Sequence, residues 1–148
     1  MRVVLQRVKN VSVKVNNKSV GEISGGLLLF VGVGQNDKEN QADYLVEKII
    51  KMRIFDDIDG KMNESLLDIG GQILVVSQFT LYADSTKGNR PSFMAAASGE
   101  KAENLYNYFV QKLRDKGIKV ETGEFGANME VGLLNDGPVT ILLDTEAK

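Results

Sequence analysis

The chain has 148 residues, 43% hydrophobic and 26% charged, with a net charge of −2, which fits one domain over 1–148 and argues against salt-driven coating of nucleic acid. Cysteine and histidine are both absent, which excludes thiolate nucleophiles, disulfides, sulfur-ligated zinc and the commonest general base near neutral pH. No apolar run reaches the ~18 residues of a membrane span, and the charged opening Met1-Arg2-Val3-Val4-Leu5-Gln6-Arg7 is unlike a signal peptide, so a cytoplasmic location without a membrane partner is expected.

In chain order, Val11, Val13 and Val15 alternate with Ser12, Lys14 and Asn16, the period-2 pattern of a half-buried strand. Asn16-Asn17 offers a tight turn into a second strand over 18–24. Gly25-Gly26 leads into 27–33, an apolar run that reads as a strand buried on both faces. Arg2, Arg7, Lys9, Lys14 and Lys18 fall within residues 1–21 with no acidic residue among them. They form either a solvated strand face or a local patch suited to phosphate.

The period changes over 39–53, where Ala42, Leu45, Val46, Ile49 and Ile50 predict one buried helical stripe, with Asp37 as the N-cap. Asp56-Asp57-Ile58-Asp59-Gly60-Lys61 lacks the later bidentate Glu of a calcium loop. Gly70-Gly71 opens a second apolar strand over 73–81. Lys87-Gly88-Asn89-Arg90-Pro91-Ser92 is a polar loop that could touch phosphate or simply be exposed. Ala102, Leu105, Tyr106, Phe109, Val110 and Leu113 predict a second helix, with Ser98 as N-cap and Gly117 as the C′ residue. Strands over 118–121, 128–134 and 138–143 close the chain. Strands interrupted by two helices indicate an α+β (mixed α/β) domain with largely antiparallel pairing. Gly32-Val33-Gly34 lacks the third glycine of a dinucleotide-binding turn.

Without histidine or cysteine, catalysis would draw on hydroxyls, carboxylates, amines, backbone groups or the substrate itself, and neither metal nor cofactor is expected. Two segments carry unusual polarity. Ser77-Gln78-Phe79-Thr80-Leu81 ends an apolar strand with three hydrogen-bonding side chains, either emerging into solvent or presenting hydroxyl and amide groups to a pocket. Asn135-Asp136-Gly137-Pro138 reads by composition as a turn.

At these two segments the chain resembles the D-aminoacyl-tRNA deacylase family, also called D-tyrosyl-tRNA deacylases. Ser77-Gln78-Phe79-Thr80-Leu81 is similar to the family's first motif and Asn135-Asp136-Gly137-Pro138-Val139-Thr140 to its second. The resemblance continues through Gln6-Arg7-Val8, Arg53-Ile54-Phe55, Gly60-Lys61-Met62-Asn63, Arg90-Pro91-Ser92-Phe93 and Asn128-Met129. A sister family with relaxed chirality differs inside both motifs, and this chain carries the stricter version.

The resemblance implies a barrel-like core and a homodimer with active sites at the interface. It implies a pocket lined by Ser77, Gln78, Phe79 and Thr80 for the aminoacylated adenosine at the tRNA 3′ end, with these four as the catalytic set. It further implies that Gly137-Pro138 is cis, enters the partner subunit's pocket and selects chirality. Arg7, Met129 and Asn135 join as candidate substrate-binding residues. The implied reaction is ester hydrolysis of D-aminoacyl-tRNA, with some action on glycyl-tRNA. Two readings from other classes remain, an RNA-binding module using the basic N-terminal hairpin and a small esterase with Thr80 as an acylated nucleophile.

Overall fold

The computed structural model describes residues 1–146. Its first strand, β1 (Arg2–Val15), forms a hairpin with β2 (Lys18–Ile23), and β3 (Gly26–Gly32) follows. Asn16 and Asn17 occupy left-handed backbone conformations, φ 50° and 64°, as the expected tight hairpin turn requires. Helix α1 (Glu39–Lys51) then leads through the small ladder β4 (Phe55–Asp56) and β5 (Met62–Glu64) to the short helix α2 (Leu66–Ile69). Strand β6 (Gln72–Ser77), a 3-10 turn (Phe79–Tyr82), helix α3 (Gly99–Asp115), β7 (Val120–Thr122) and β8 (Glu130–Asp144) complete the described chain.

The expected mixed α+β class holds, and the sheet curls into a nearly closed barrel. Along one edge β1 pairs antiparallel with β8 from Arg2↔Asp144 to Lys14↔Glu130. Along the other it pairs antiparallel first with β3 and then with β2. From β3 the sheet continues through β6 to β7, and both of these pairings are parallel. Gly21 of β2 lies against the Thr122 backbone of β7, where the barrel almost closes.

Alternation along the strands separates two apolar bodies. Leu27, Leu29, Ile73 and Val75 face α1 and α3, joining Leu45, Ile49, Phe109 and Leu113. Leu28, Leu74 and Val76 face the other way, with Val8, Val11, Val13 and Ile23, into the barrel interior. This explains why β3 and β6 read as continuous apolar runs: each has a core on both sides. Both predicted helical stripes are buried, with Ala102 partly so. Gly117 follows α3 with φ 80°, the expected C′ geometry.

Several sequence expectations are corrected. The N-cap of α1 is Lys38, whose backbone N–H donates to the Gln41 side chain at 2.8 Å, while Asp37 is buried and bonded elsewhere. Ser98 does precede α3, but its side chain makes no capping bond. The strand expected over 73–81 stops at Ser77, because the backbone coils into the 3-10 turn. The strands expected over 128–134 and 138–143 are one, β8, and the intervening Asn-Asp-Gly-Pro is an excursion within it. A third, four-residue helix appears at α2, capped by Ser65, whose side chain accepts from the Asp68 N–H at 3.1 Å. Among the described residues no helix is long and apolar enough to cross a membrane.

Candidate active site

A cavity of about 490 Å³ opens between the end of β6, the start of α3 and the segment 125–131. Ser77, Gln78 and Phe79 form one wall, because β6 ends at Ser77 and the chain turns sharply there. Parallel pairing with β3 sets the depth of that end, since the Gln78 N–H donates to the Val31 carbonyl at 2.8 Å. Phe79 is half exposed, and its ring meets Phe93 edge-on with centroids 5.0 Å apart. Tyr106 and Phe125 lie deeper, 5.5 Å apart, and Tyr106 Oη donates to the Val75 carbonyl at 3.0 Å. Burial pushes the Tyr106 phenol up to about 12, so this hydroxyl stays neutral.

Among the described residues, no aspartate, glutamate, lysine or arginine lines the cavity. Its polar side chains are Ser77, Gln78, Asn128 and the Tyr106 hydroxyl, which with main-chain groups sit among apolar and aromatic surfaces. Such a space suits a flat heteroaromatic group with a few hydrogen-bonding atoms. Alanine and glycine at 96, 97, 99, 126 and 127 leave the room.

Thr80 sits beyond the wall, exposed on the first turn of the 3-10 segment, and its Oγ1 accepts from Gln78 Nε2. The Phe79 and Thr80 N–H groups begin that turn, where no preceding carbonyl serves as an intrahelical acceptor. Met129 lines the cavity with Asn128 and fits there because Gly123 presents no Cβ, which would lie 2.5 Å from the Met129 Sδ.

The second motif lies elsewhere. In the β1–β8 ladder Gln6 pairs with Thr140 and Val8 with Asn135, so Asp136–Val139 arch out opposite the single residue Arg7. Gly137-Pro138 is a cis peptide, exposed at the crest. Gly137 has φ 125°, and a Cβ there would lie 3.0 Å from Arg7 Nη2. Asn135 Nδ2 fastens both feet of the arch, donating to the Arg7 carbonyl at 2.9 Å and the Val139 carbonyl at 3.1 Å. Arg7 is buried beneath it, with Nε donating to the Asp136 carbonyl at 3.1 Å and Nη1 to the Ile54 carbonyl at 2.7 Å.

The structure therefore brings Ser77, Gln78, Phe79 and Met129 to one cavity and sets Thr80 at its rim. Arg7, Asn135, Gly137 and Pro138 form a second cluster, and none of them lines that cavity. The walls from Ala96-Ala97 and Phe125-Gly126-Ala127 were missed by sequence reasoning; their only signal was runs of small residues between elements. Of the N-terminal basic residues, Arg2 pairs with Asp144 at 3.0 Å and Arg7 is internal, leaving Lys9, Lys14 and Lys18 exposed. Lys87 and Arg90 sit on an exposed loop closed by the Asp84–Ser92 bridge.

A family model described as D-Tyr-tRNA(Tyr) deacylase matches residues 4–144. The chain belongs to this family. It is 61% identical to the D-aminoacyl-tRNA deacylase of Thermosipho melanesiensis over 147 residues, covering 99% of this chain and 98% of that one. It is 58% identical to the D-aminoacyl-tRNA deacylase of Caldicellulosiruptor bescii, with the same coverage. Among solved structures, the c-Myc DNA Unwinding Element Binding Protein superposes with a TM-score of 0.93 at 40% identity, covering 99% of this chain and all of that one. The family assignment thus rests on the sequence matches, and the backbone likeness shows that the fold is shared over the same span.

Proposed function

We propose that this chain hydrolyses the ester of D-aminoacyl-tRNA, releasing tRNA and the D-amino acid, and that it works in the cytoplasm where aminoacyl-tRNA is made and used. The observation that carries the reading is the uncharged, aromatic cavity ending at Ser77-Gln78-Phe79 in a member of this family. It has the size and lining for a 3′-terminal aminoacyl-adenosine, which the substrate presents as a flat base on a ribose.

With no ionisable catalytic base in the cavity, the substrate's own 2′-hydroxyl, adjacent to the scissile ester, is the natural assistant. Holding such a neighbour in place is worth up to ~7–11 kcal/mol in favourable cases. The chain then orients the ester, admits a water and supplies donors to the developing oxyanion. The Phe79 and Thr80 N–H groups take that last role, and the Thr80 hydroxyl orients the water or polarises the ester.

Chirality is selected by the arch. Gly137-Pro138 is exposed and lies outside the chain's own cavity, which supports a reading in which a second copy brings it to the first copy's Thr80 and the working unit is a homodimer with two interfacial sites. The Gly137 carbonyl accepts from the substrate ammonium, and an L side chain would then meet the Pro138 ring while a D side chain points away. Exclusion needs no pocket matched to any one side chain. The chain should therefore accept many D-amino acids and hydrolyse glycyl-tRNA at a measurable rate.

The decisive assay compares release of tyrosine from D-tyrosyl-tRNA and L-tyrosyl-tRNA, with glycyl-tRNA as a third substrate and a chelator arm. Rapid D-turnover, negligible L-turnover, some glycine turnover and indifference to chelator are expected. Equal D and L rates, or fully resistant glycyl-tRNA, would sink the exclusion mechanism.

A further inference from the structure

Behind the rim residue Thr80 lies a network with no part in the chemistry above. Asp37 is buried and is the shared acceptor for three donors. Its Oδ1 takes the Met1 α-ammonium at 2.6 Å, and its Oδ2 takes the Gly34 N–H at 2.6 Å and the Tyr82 hydroxyl at 3.3 Å. Tyr82 is the last residue of the 3-10 turn that begins at Phe79. Its ring also carries the Arg2 guanidinium, 4.4 Å from the centroid. Arg2 Nη1 meanwhile donates to the Leu81 carbonyl at 2.8 Å, and its Nε is held by Asp144 at 3.0 Å.

The turn is therefore gripped at its far end by a charged, hydrogen-bonded clamp, while its near end presents Phe79 and Thr80 to the cavity mouth. Within the turn, coupling is short: Leu81 N–H donates to the Gln78 carbonyl at 3.2 Å and Ala83 N–H to the Thr80 carbonyl at 3.1 Å. The seat is close-fitting too, since a Cβ at Gly34 would lie 2.9 Å from the Tyr82 hydroxyl. A displacement of Tyr82 would move the adjacent Ala83 N–H, from which the Thr80 carbonyl accepts.

We propose that Tyr82 and Arg2 are positioning residues for ester hydrolysis, acting through the 3-10 turn to fix the Phe79 and Thr80 groups relative to the bound ester. This rests on the deacylase reading above. It separates the residues that hold the turn from those that meet substrate: neither Tyr82 nor Arg2 lines the cavity. Misplacing preorganised donors lowers the rate of the chemical step without weakening ground-state binding in proportion.

The test is steady-state hydrolysis of D-tyrosyl-tRNA by the full chain and by Tyr82→Phe, Arg2→Ala and Arg2→Lys. Ile49→Val, a core change on α1 away from the turn, serves as the stability control. Tyr82→Phe should lower kcat about 3- to 10-fold with KM changed less than about twofold. Arg2→Ala should do the same, and Arg2→Lys should recover part of the loss by returning a cation to the ring. Ile49→Val should lower thermal stability and keep kcat. If Arg2→Ala fails to fold, Tyr82→Phe, which removes one oxygen, carries the comparison. Unchanged kcat in Tyr82→Phe, a loss confined to KM, or an equal kcat loss in Ile49→Val would overturn the proposal. An inactive parent chain would overturn the deacylase reading and this one together, whereas an active parent with active variants overturns only this one.

Discussion

Arg7 Nε donates to the Asp136 carbonyl at 3.1 Å, bracing from below an arch whose crest, Gly137-Pro138, lies outside the cavity that Ser77, Gln78 and Phe79 line. Its Nη1 reaches the Ile54 carbonyl, so one guanidinium ties the arch to the loop after α1. Arg7→Met would leave both carbonyls without that donor, at a cost of about 1–3 kcal/mol. Urea unfolding should show this loss. Paired assays should show the preference for D- over L-tyrosyl-tRNA falling, because a loosened arch no longer holds its wall in place. An unchanged preference in a folded Arg7→Met chain would detach Arg7 from selection.

Thr80→Ala should lower kcat on D-tyrosyl-tRNA by about 10²- to 10³-fold, the scale of losing one oriented donor, and leave tRNA binding near normal. Thr80→Ser should keep most of the activity. Mass spectrometry under single-turnover conditions should find no acyl adduct on Thr80. A trapped adduct would replace water orientation with a covalent route.

At high pH two buried phenols should limit stability. Burial raises the Tyr106 phenol to about 12, and burial together with the Asp37 charge pushes Tyr82 up as well. A phenol whose pKa is raised in the fold contributes stability fully present below its unfolded value of about 10. That contribution is lost as pH rises through the folded value. Denaturant midpoints should therefore hold steady to about pH 10 and fall between about 10 and 12, with tyrosinate absorbance rising in step. In Tyr106→Phe the fall should be shallower.

Phe109 is fully buried between α3 and the sheet, on the helix whose first turn closes the cavity. Phe109→Ala should cost about 3–5 kcal/mol of stability. Leu45→Ala, buried on α1 in the same core, should cost about 2–5 kcal/mol. Thermal unfolding checks both, and a loss under about 1 kcal/mol would mean the core repacks around the gap.

Much of the fold was legible because burial is periodic. The stripe of Leu45, Val46, Ile49 and Ile50 and that of Leu105, Tyr106, Phe109 and Val110 both face the core as read. What failed had a tertiary cause. Asp37 resembles an N-cap in isolation, but a buried ammonium and the Tyr82 hydroxyl compete for its carboxylate. Asn135-Asp136-Gly137-Pro138 has turn composition, yet β1 runs alongside and keeps the chain in its ladder, so the same residues arch instead of reversing. Thr80 was read with the end of β6, and the coil after Ser77 instead moves it to the rim. Parallel pairing of β6 and β7 left no local signature, since partners such as Ile73 and Val120 are far apart in sequence. Arg7, grouped by sequence with a basic N-terminal set, is internal because carbonyls from two distant segments converge on it.

The full-length pairing of β1 with β8 has a consequence for synthesis. Arg2 finds its ladder partner only at Asp144. During synthesis one edge of β1 therefore stays open until β8 has emerged. A strand of 14 residues waiting in that state offers a template to any other extended chain. The other edge is covered by β2 and β3, which are near β1 in sequence, so the β8 side is the closure that depends on the most distant contact.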